Sequence, residues 1–252
     1  MNFLTLAVFV SSALFTIVSA HTRVYGVWVN GVFQGDGREL YIRSSPTNDP
    51  IKDLKSGAME CNANNHEVPQ WIDVKGGDKL TLEWYREKRN DNIIASSHHG
   101  PVQVYIAPAS SNSWTKLFEE AYDATSKTWA TNRVAKAHGQ HSIKVPHLEA
   151  GTYLVRGEMT ALHQADQLYS HRKSRGVQFY ISCIQIRVTS NVSQRLPEGT
   201  KFPGTYKDDT PGIQWDLYGP GEGDAPERYI PPGPSVWEGA KGGEIAQVGK
   251  GR

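Results

Sequence analysis

The first twenty residues, MNFLTLAVFVSSALFTIVSA, contain no charged side chain, and no later stretch is long and apolar enough to span a bilayer. The 252-residue chain also lacks a charge imbalance: 27 Lys and Arg face 26 Asp and Glu. That balance removes the electrostatic case for nucleic acid or an anionic membrane as partner. No HExxH occurs, which argues against a zinc protease. There is no internal repeat, and helical periodicity is nearly absent. Ser113–Thr125, SWTKLFEEAYDAT, is the one candidate helix. Cysteine is scarce, with Cys61 and Cys183 alone.

The uncharged leader ends in small residues, with Val18 and Ala20 at the spacing a signal peptidase prefers. Residues 1–20 therefore read as a secretory signal peptide, and the protein as extracellular. A membrane anchor is the alternative, but the apolar run from Leu4 to Val18 is short and broken by Ser11, Ser12 and Thr16. In an oxidising compartment two cysteines imply one disulfide rather than two free thiols. Closing so long a loop stabilises the fold by roughly 4–5 kcal/mol on the chain-entropy model.

What fills the chain is short strands between turn residues. VYGVWVNGVF (Val24–Phe33) alternates around an Asn-Gly pair, a strong hairpin signal. DVKGGDKLTLEW (Asp73–Trp84) places Leu80, Leu82 and Trp84 on one face after a Gly-Gly turn. Pro101–Ala107, Gly151–Met159 and Gly176–Val188 are further runs rich in β-branched and aromatic residues. This pattern predicts an all-β, antiparallel sandwich with long surface loops. One domain is expected over 21–237, its Pro- and Gly-rich part from about Pro197 laid over the sandwich. Residues 238–252 read as a flexible tail. Asn191-Val192-Ser193 is an N-glycosylation acceptor.

Removal of the leader makes His21 the first residue, with an α-amine and an imidazole Nδ1 that together chelate one metal ion. The α-amine loses its proton near neutrality, and neutral nitrogen ligands suit Cu(II). SSHHGPVQVYIAP places a histidine just ahead of a strand, as a further nitrogen. In GVQFYISC, Gln178 and Tyr180 share one strand face while Phe179, Ile181 and Cys183 share the other. Apolar residues then occupy Ile184, Ile186 and Val188, which implies either a bulge or a strand buried on both faces.

Taken together, these stretches resemble the fungal lytic polysaccharide monooxygenases of auxiliary-activity family nine. The resemblance rests on His21 directly after the leader, HHGPVQVYIAP, YLVRGEMTALH, GVQFYISC, FPGTYKDDTPGI and YIPPGP, in order along the chain. It implies an immunoglobulin-like sandwich with a flat copper face and one copper per chain. His21 and His98 would be the nitrogen ligands and Tyr180 the axial group. His163 and Gln178 would donate hydrogen bonds toward the reacting oxygen. Cys61–Cys183 matches the family's usual disulfide. Tyr218, in DLYGPG, resembles a substrate-facing tyrosine, and Tyr25 lies near the N-terminus; both read equally well as packing residues. The implied activity is oxidative cleavage of cellulose or a related β-1,4-glucan at C1, C4 or both, by a monomer using an external electron donor and O2 or H2O2. The competing readings are a non-catalytic polysaccharide- or copper-binding sandwich, and a hydrolase using carboxylates such as Glu158 and Asp166.

Overall fold

The computed structural model describes residues 21–189, 194–219 and 225–250. The leader and the acceptor Asn191 lie outside the described residues. The Asn-Gly pair turns the chain from β1 (Arg23–Val29) into β2 (Val32–Phe33), with φ of 50° at Asn30 and 82° at Gly31. Two successive left-handed residues match the twist of a two-residue hairpin. There follow β3 (Ile42–Arg43), a one-turn helix α1 (Ala58–Cys61), β4 (Ile72–Val74) and β5 (Lys79–Tyr85). Next come β6 (Val102–Pro108), β7 (Thr115–Glu120), β8 (Tyr122–Asp123), β9 (Thr128–Trp129) and α2 (Ala130–Lys136). The order closes with β10 (Gln140–Lys144), β11 (Gly151–Ala161), β12 (Gln178–Val188) and β13 (Gly243–Glu244).

One sheet runs β13-β10-β5-β1-β2 and the other β3-β12-β11-β6-β7, with β4 added in parallel beside β12. Their facing sides form a core in which Val24, Leu80, Leu82 and Trp84 meet Val104, Val155, Met159 and Ile184. This is the sandwich the alternation predicts. A second apolar cluster covers the outer face of β11, β12 and β6. There Phe179, Ile181, Leu154 and Tyr105 lie under Phe202, Tyr206, Ile213 and Tyr229 of the Pro-rich segment. The pairing of β12 with β11 runs without a register shift from Gln178 to Val188. The double apolar phase of β12 therefore reflects burial on both faces, not a bulge. The Cys61–Cys183 disulfide ties α1 to that strand across 122 residues.

The candidate helix Ser113–Thr125 is instead β7 and β8. Pairing with β6 and burial on both sides outweigh its weak helical pattern: Leu117 enters the core, while buried Lys116 bonds Glu119 and the carbonyl of Pro232. The helix that does form, α2, lies just beyond it. In the stretch read as a flexible tail, β13 pairs with β10, and the amides of Val248 and Gly249 donate to Gln140 Oε1.

Candidate metal centre

Three local constructions bring distant residues to one end of the sandwich. Strand β1 is pinned there by Thr22 Oγ1 donating to the Tyr85 carbonyl and by Val24 N donating to Ser182 Oγ. Ser182 shares the inward face of β12 with Tyr180, so His21 arrives beside the phenol, ring centroids 5.7 Å apart. The loop His98–Pro101 is bolted to the end of β11: Leu162 N donates to the His99 carbonyl and Thr160 N to that of Pro101. Gly100 is required at this contact, because a Cβ there would lie 2.0 Å from the Thr160 carbonyl oxygen. His98 is thereby laid against His163, ring centroids 4.1 Å apart. Finally, Ile51 and Phe179 exchange backbone hydrogen bonds, which sets Asn48, Asp49 and Lys52 along the start of β12.

The rings of His21, His98 and Tyr180 form a nearly equilateral triangle, with centroid separations of 6.3, 5.7 and 6.1 Å. Tyr180 Oη donates to Gln178 Oε1 (2.6 Å), and Gln178 Nε2 lies 3.4 Å from His163 Nε2. All three histidines are kept neutral. Burial, reinforced by neighbouring His163 and His21, pushes His98 down to about 3. Burial and the charges of Lys52 and Arg175 push His163 down to about 4. His21 is lowered by burial against the opposing pull of Asp49, whose Oδ1 lies 3.3 Å from its Nδ1. Burial, with Asp49, holds the Tyr180 phenol well above its ordinary value. The result is a set of neutral imidazoles and a neutral phenol.

His98 Nε2 is buried without a hydrogen-bond partner, as is His163 Nδ1. Buried imidazole nitrogens are ordinarily bonded, and a bound ion is one of the few explanations for an exception. Two imidazoles on opposite sides of one ion, each with a bond of about 2 Å, have centroids roughly 6 Å apart. The His21–His98 separation fits that. No group of three or more His, Cys, Asp or Glu side chains suited to a metal occurs among the described residues. A metal held between His21 and His98 would therefore need a further donor of another kind. The Asp49 carboxylate beside Nδ1 is 68% exposed.

The other predicted residues sort by contact. Tyr218 is exposed, and its hydroxyl donates to the Ser97 carbonyl beside His98 (3.3 Å). Tyr25 is stacked on Phe33, with the guanidinium groups of Arg38 and Arg89 at 5.0 and 5.1 Å from its ring. His99 turns away and bonds Asn132 Oδ1 (2.7 Å). Glu158 is fully buried on the far side of β11, paired with Arg156 (2.7 Å) and accepting from Tyr206 (3.0 Å). Asp166 is engaged by Arg175. Both carboxylates are held in ion pairs. Gln164 and Lys52, which extend the chain of hydrogen bonds from Gln178, carry no local sequence signal.

Known proteins share this pattern. The profile of Auxiliary Activity family 9 (formerly GH61) matches residues 21–229. An AA9 family lytic polysaccharide monooxygenase A from Armillaria gallica is 56% identical over 240 residues, covering 93% of this chain and 94% of that protein. One from Schizophyllum commune is 51% identical over 240 residues, covering 94% and 97%. Among solved structures, CvAA9A superposes with a TM-score of 0.83 at 41% identity, covering 88% of this chain and all of that one, 100%.

Proposed function

The chain belongs to Auxiliary Activity family 9, whose members are copper-dependent lytic polysaccharide monooxygenases, and from that premise we propose a secreted enzyme that cleaves β-1,4-glucan. The amine and Nδ1 of His21 and the Nε2 of His98 would hold the copper, with the Tyr180 hydroxyl beside them. Copper held there would supply one-electron chemistry for hydroxylating C1 or C4 of a glucose unit with O2 and electrons from an external reductant, or with H2O2, after which the glycosidic bond breaks. His163 and Gln178 would offer hydrogen bonds to the reacting oxygen, and Tyr180, the partner of Gln178, is buried from bulk water. Tyr218, exposed and anchored to the Ser97 carbonyl, offers a face on which a sugar ring stacks.

The observation that carries this reading is the convergence of His21, Tyr180 and His163 on His98, whose buried Nε2 has no other partner. Its test is product analysis by mass spectrometry on amorphous cellulose, with reductant. Oxidised oligosaccharides are expected, abolished by a chelator and restored by Cu(II). Undiminished cleavage in excess chelator without reductant overturns the reading in favour of hydrolysis. A companion measurement isolates the amine: one extra residue ahead of His21 converts it to an amide and breaks the chelate. Calorimetric titration of that variant should show tight copper binding lost with the fold intact; unchanged affinity removes His21 from the ligand set.

A further inference from the structure

The hydrogen bonds around Gln178 form a chain with a direction. Lys52 Nζ donates to Gln164 Oε1 (2.9 Å) and, more weakly, to the Ser174 carbonyl (3.4 Å). Gln178 Nε2 donates to the same Gln164 Oε1 (2.9 Å), and Tyr180 Oη donates to Gln178 Oε1 (2.6 Å). The two ends of an amide have nearly the same shape, so each glutamine fits equally well turned by half a rotation. Turning both together keeps the contact between the amides and the contact with the phenol, with every polarity reversed. The phenol would then accept from Gln178 instead of donating to it.

Something must choose between the two states. His163 Nε2, 3.4 Å from Gln178 Nε2, does not, since its role follows its own tautomer. Tyr180 does not, since a hydroxyl both donates and accepts. Lys52 does. An ammonium has three donors and no acceptor, so it admits Gln164 oxygen first. That oxygen admits Gln178 nitrogen first, and the remaining Gln178 oxygen requires the phenol to donate. Gln178 and Tyr180 are 4% and 1% exposed, so bulk water does not substitute for a mismatched partner at their end of the chain, while Gln164 and Lys52 are half-buried.

We propose that Lys52 is a positioning residue that sets the polarity of the Lys52–Gln164–Gln178–Tyr180 chain, holding the Tyr180 proton on Gln178. The oxygen's lone pair is thereby left for the side facing His21 and His98. Its value to an axial ligand rests on the copper reading above; the polarity itself does not. Lys52 hydrogen-bonds none of the residues assigned to copper and reaches Tyr180 through two glutamines; its charge separately lowers His163 and His21, which Lys52→Arg preserves.

The test compares wild type with Lys52→Met, which keeps the stem but no donors, and Lys52→Arg, which keeps donors. Neutron diffraction on deuterated, copper-free crystals reads the deuterons directly. Wild type and Lys52→Arg should place one deuteron between Tyr180 Oη and Gln178 Oε1. Lys52→Met should lose that single orientation, with part of the Tyr180 deuteron off Gln178. A merely space-filling Lys52 would leave Lys52→Met like wild type, and that result overturns the proposal; so does wild type with Gln178 Nε2 facing the phenol. Cu(II) paramagnetic resonance of the same proteins then tests the consequence, a shifted axial spectrum in Lys52→Met alone. Identical spectra despite moved deuterons overturn the link to the ligand. Failure of all three proteins to bind copper overturns the copper reading and leaves the deuteron result standing.

Discussion

His98 and His141 are two buried imidazoles in nearly the same electrostatic state, set in different surroundings. Each is pushed down to about 3, His141 by burial alone and His98 by burial with help from His163 and His21. Each also has one buried ring nitrogen without a partner, Nδ1 in His141 and Nε2 in His98. What differs is the company. His141 accepts from Trp84 Nε1 (2.8 Å) and is stacked between Trp84 and Phe118, both ring centroids 6.2 Å away. His98 faces two further imidazoles and a phenol. Low basicity and a lone nitrogen therefore do not identify a metal ligand; convergence of several donors on one point does.

The largest effect expected is at His98. Outer partners of a metal ligand typically change affinity by 10–100-fold, so losing a ligand itself should exceed roughly 100-fold. His98→Ala should lose copper by that margin in calorimetric titration, together with nearly all oxidised product. His141→Gln should bind copper as wild type does. Equal copper loss in the two variants would erase the distinction between the regions.

The two carboxylates raised by a hydrolytic reading sharpen the same contrast. Glu158 is paired with Arg156, whose Nε and second terminal nitrogen also donate to the carbonyls of Glu60 and Met59. Glu158→Ala strands a buried guanidinium and should cost about 3–5 kcal/mol in denaturant unfolding. Copper binding should survive wherever the variant folds. A stable variant with selectively lost cleavage would instead point to a catalytic acid.

Much of this layout is legible in the sequence because its cause is local. The Asn30-Gly31 turn, the alternation of Leu80, Leu82 and Trp84, and the split of Gln178 and Tyr180 from Phe179 and Ile181 each follow from the pleat or from turn geometry. The failure at Ser113–Thr125 has a non-local cause, since the pairing with β6 that makes it a strand is invisible within the segment. So is the seating of Ile245 against the core, which a Gly-rich tail does not announce. Lys52 and Gln164 lie 112 residues apart, and the Ile51–Phe179 bridge helps bring them together. The motifs that carry His21, His98 and Tyr180 are readable in the sequence; the residues that support them are not.

A smaller effect separates the two regions by pH. His141 stays neutral in the folded protein down to about pH 3 but takes up a proton near 6.5 once unfolded. Between those values the unfolded chain binds more protons, so stability rises with pH there and is insensitive to this group above about 6.5. Each unit within the window is worth about 1.4 kcal/mol. His141→Gln retains an acceptor for Trp84 but does not titrate. Urea unfolding of both proteins at pH 6 and pH 5 should show a slope steeper by about that amount in the wild type. Parallel slopes would mean that His141 is not held neutral.

The smallest effect belongs to His99, the immediate neighbour of the proposed ligand. Its side chain is half-buried and bonds Asn132 in α2, while its backbone carbonyl, not its ring, anchors Leu162. Adjacent residues on this extended loop point to opposite sides, so the contact with α2 and the contact with His163 are mutually exclusive for one ring. His99→Ala removes one side-chain hydrogen bond and leaves the backbone anchor, a loss of about 1 kcal/mol in unfolding. Its Cu(II) paramagnetic resonance spectrum should overlay that of wild type, with the nitrogen hyperfine pattern intact. An altered spectrum in His99→Ala alongside a normal one in His98→Ala would move the ligand by one position, and with it the account of why His98 Nε2 has no partner.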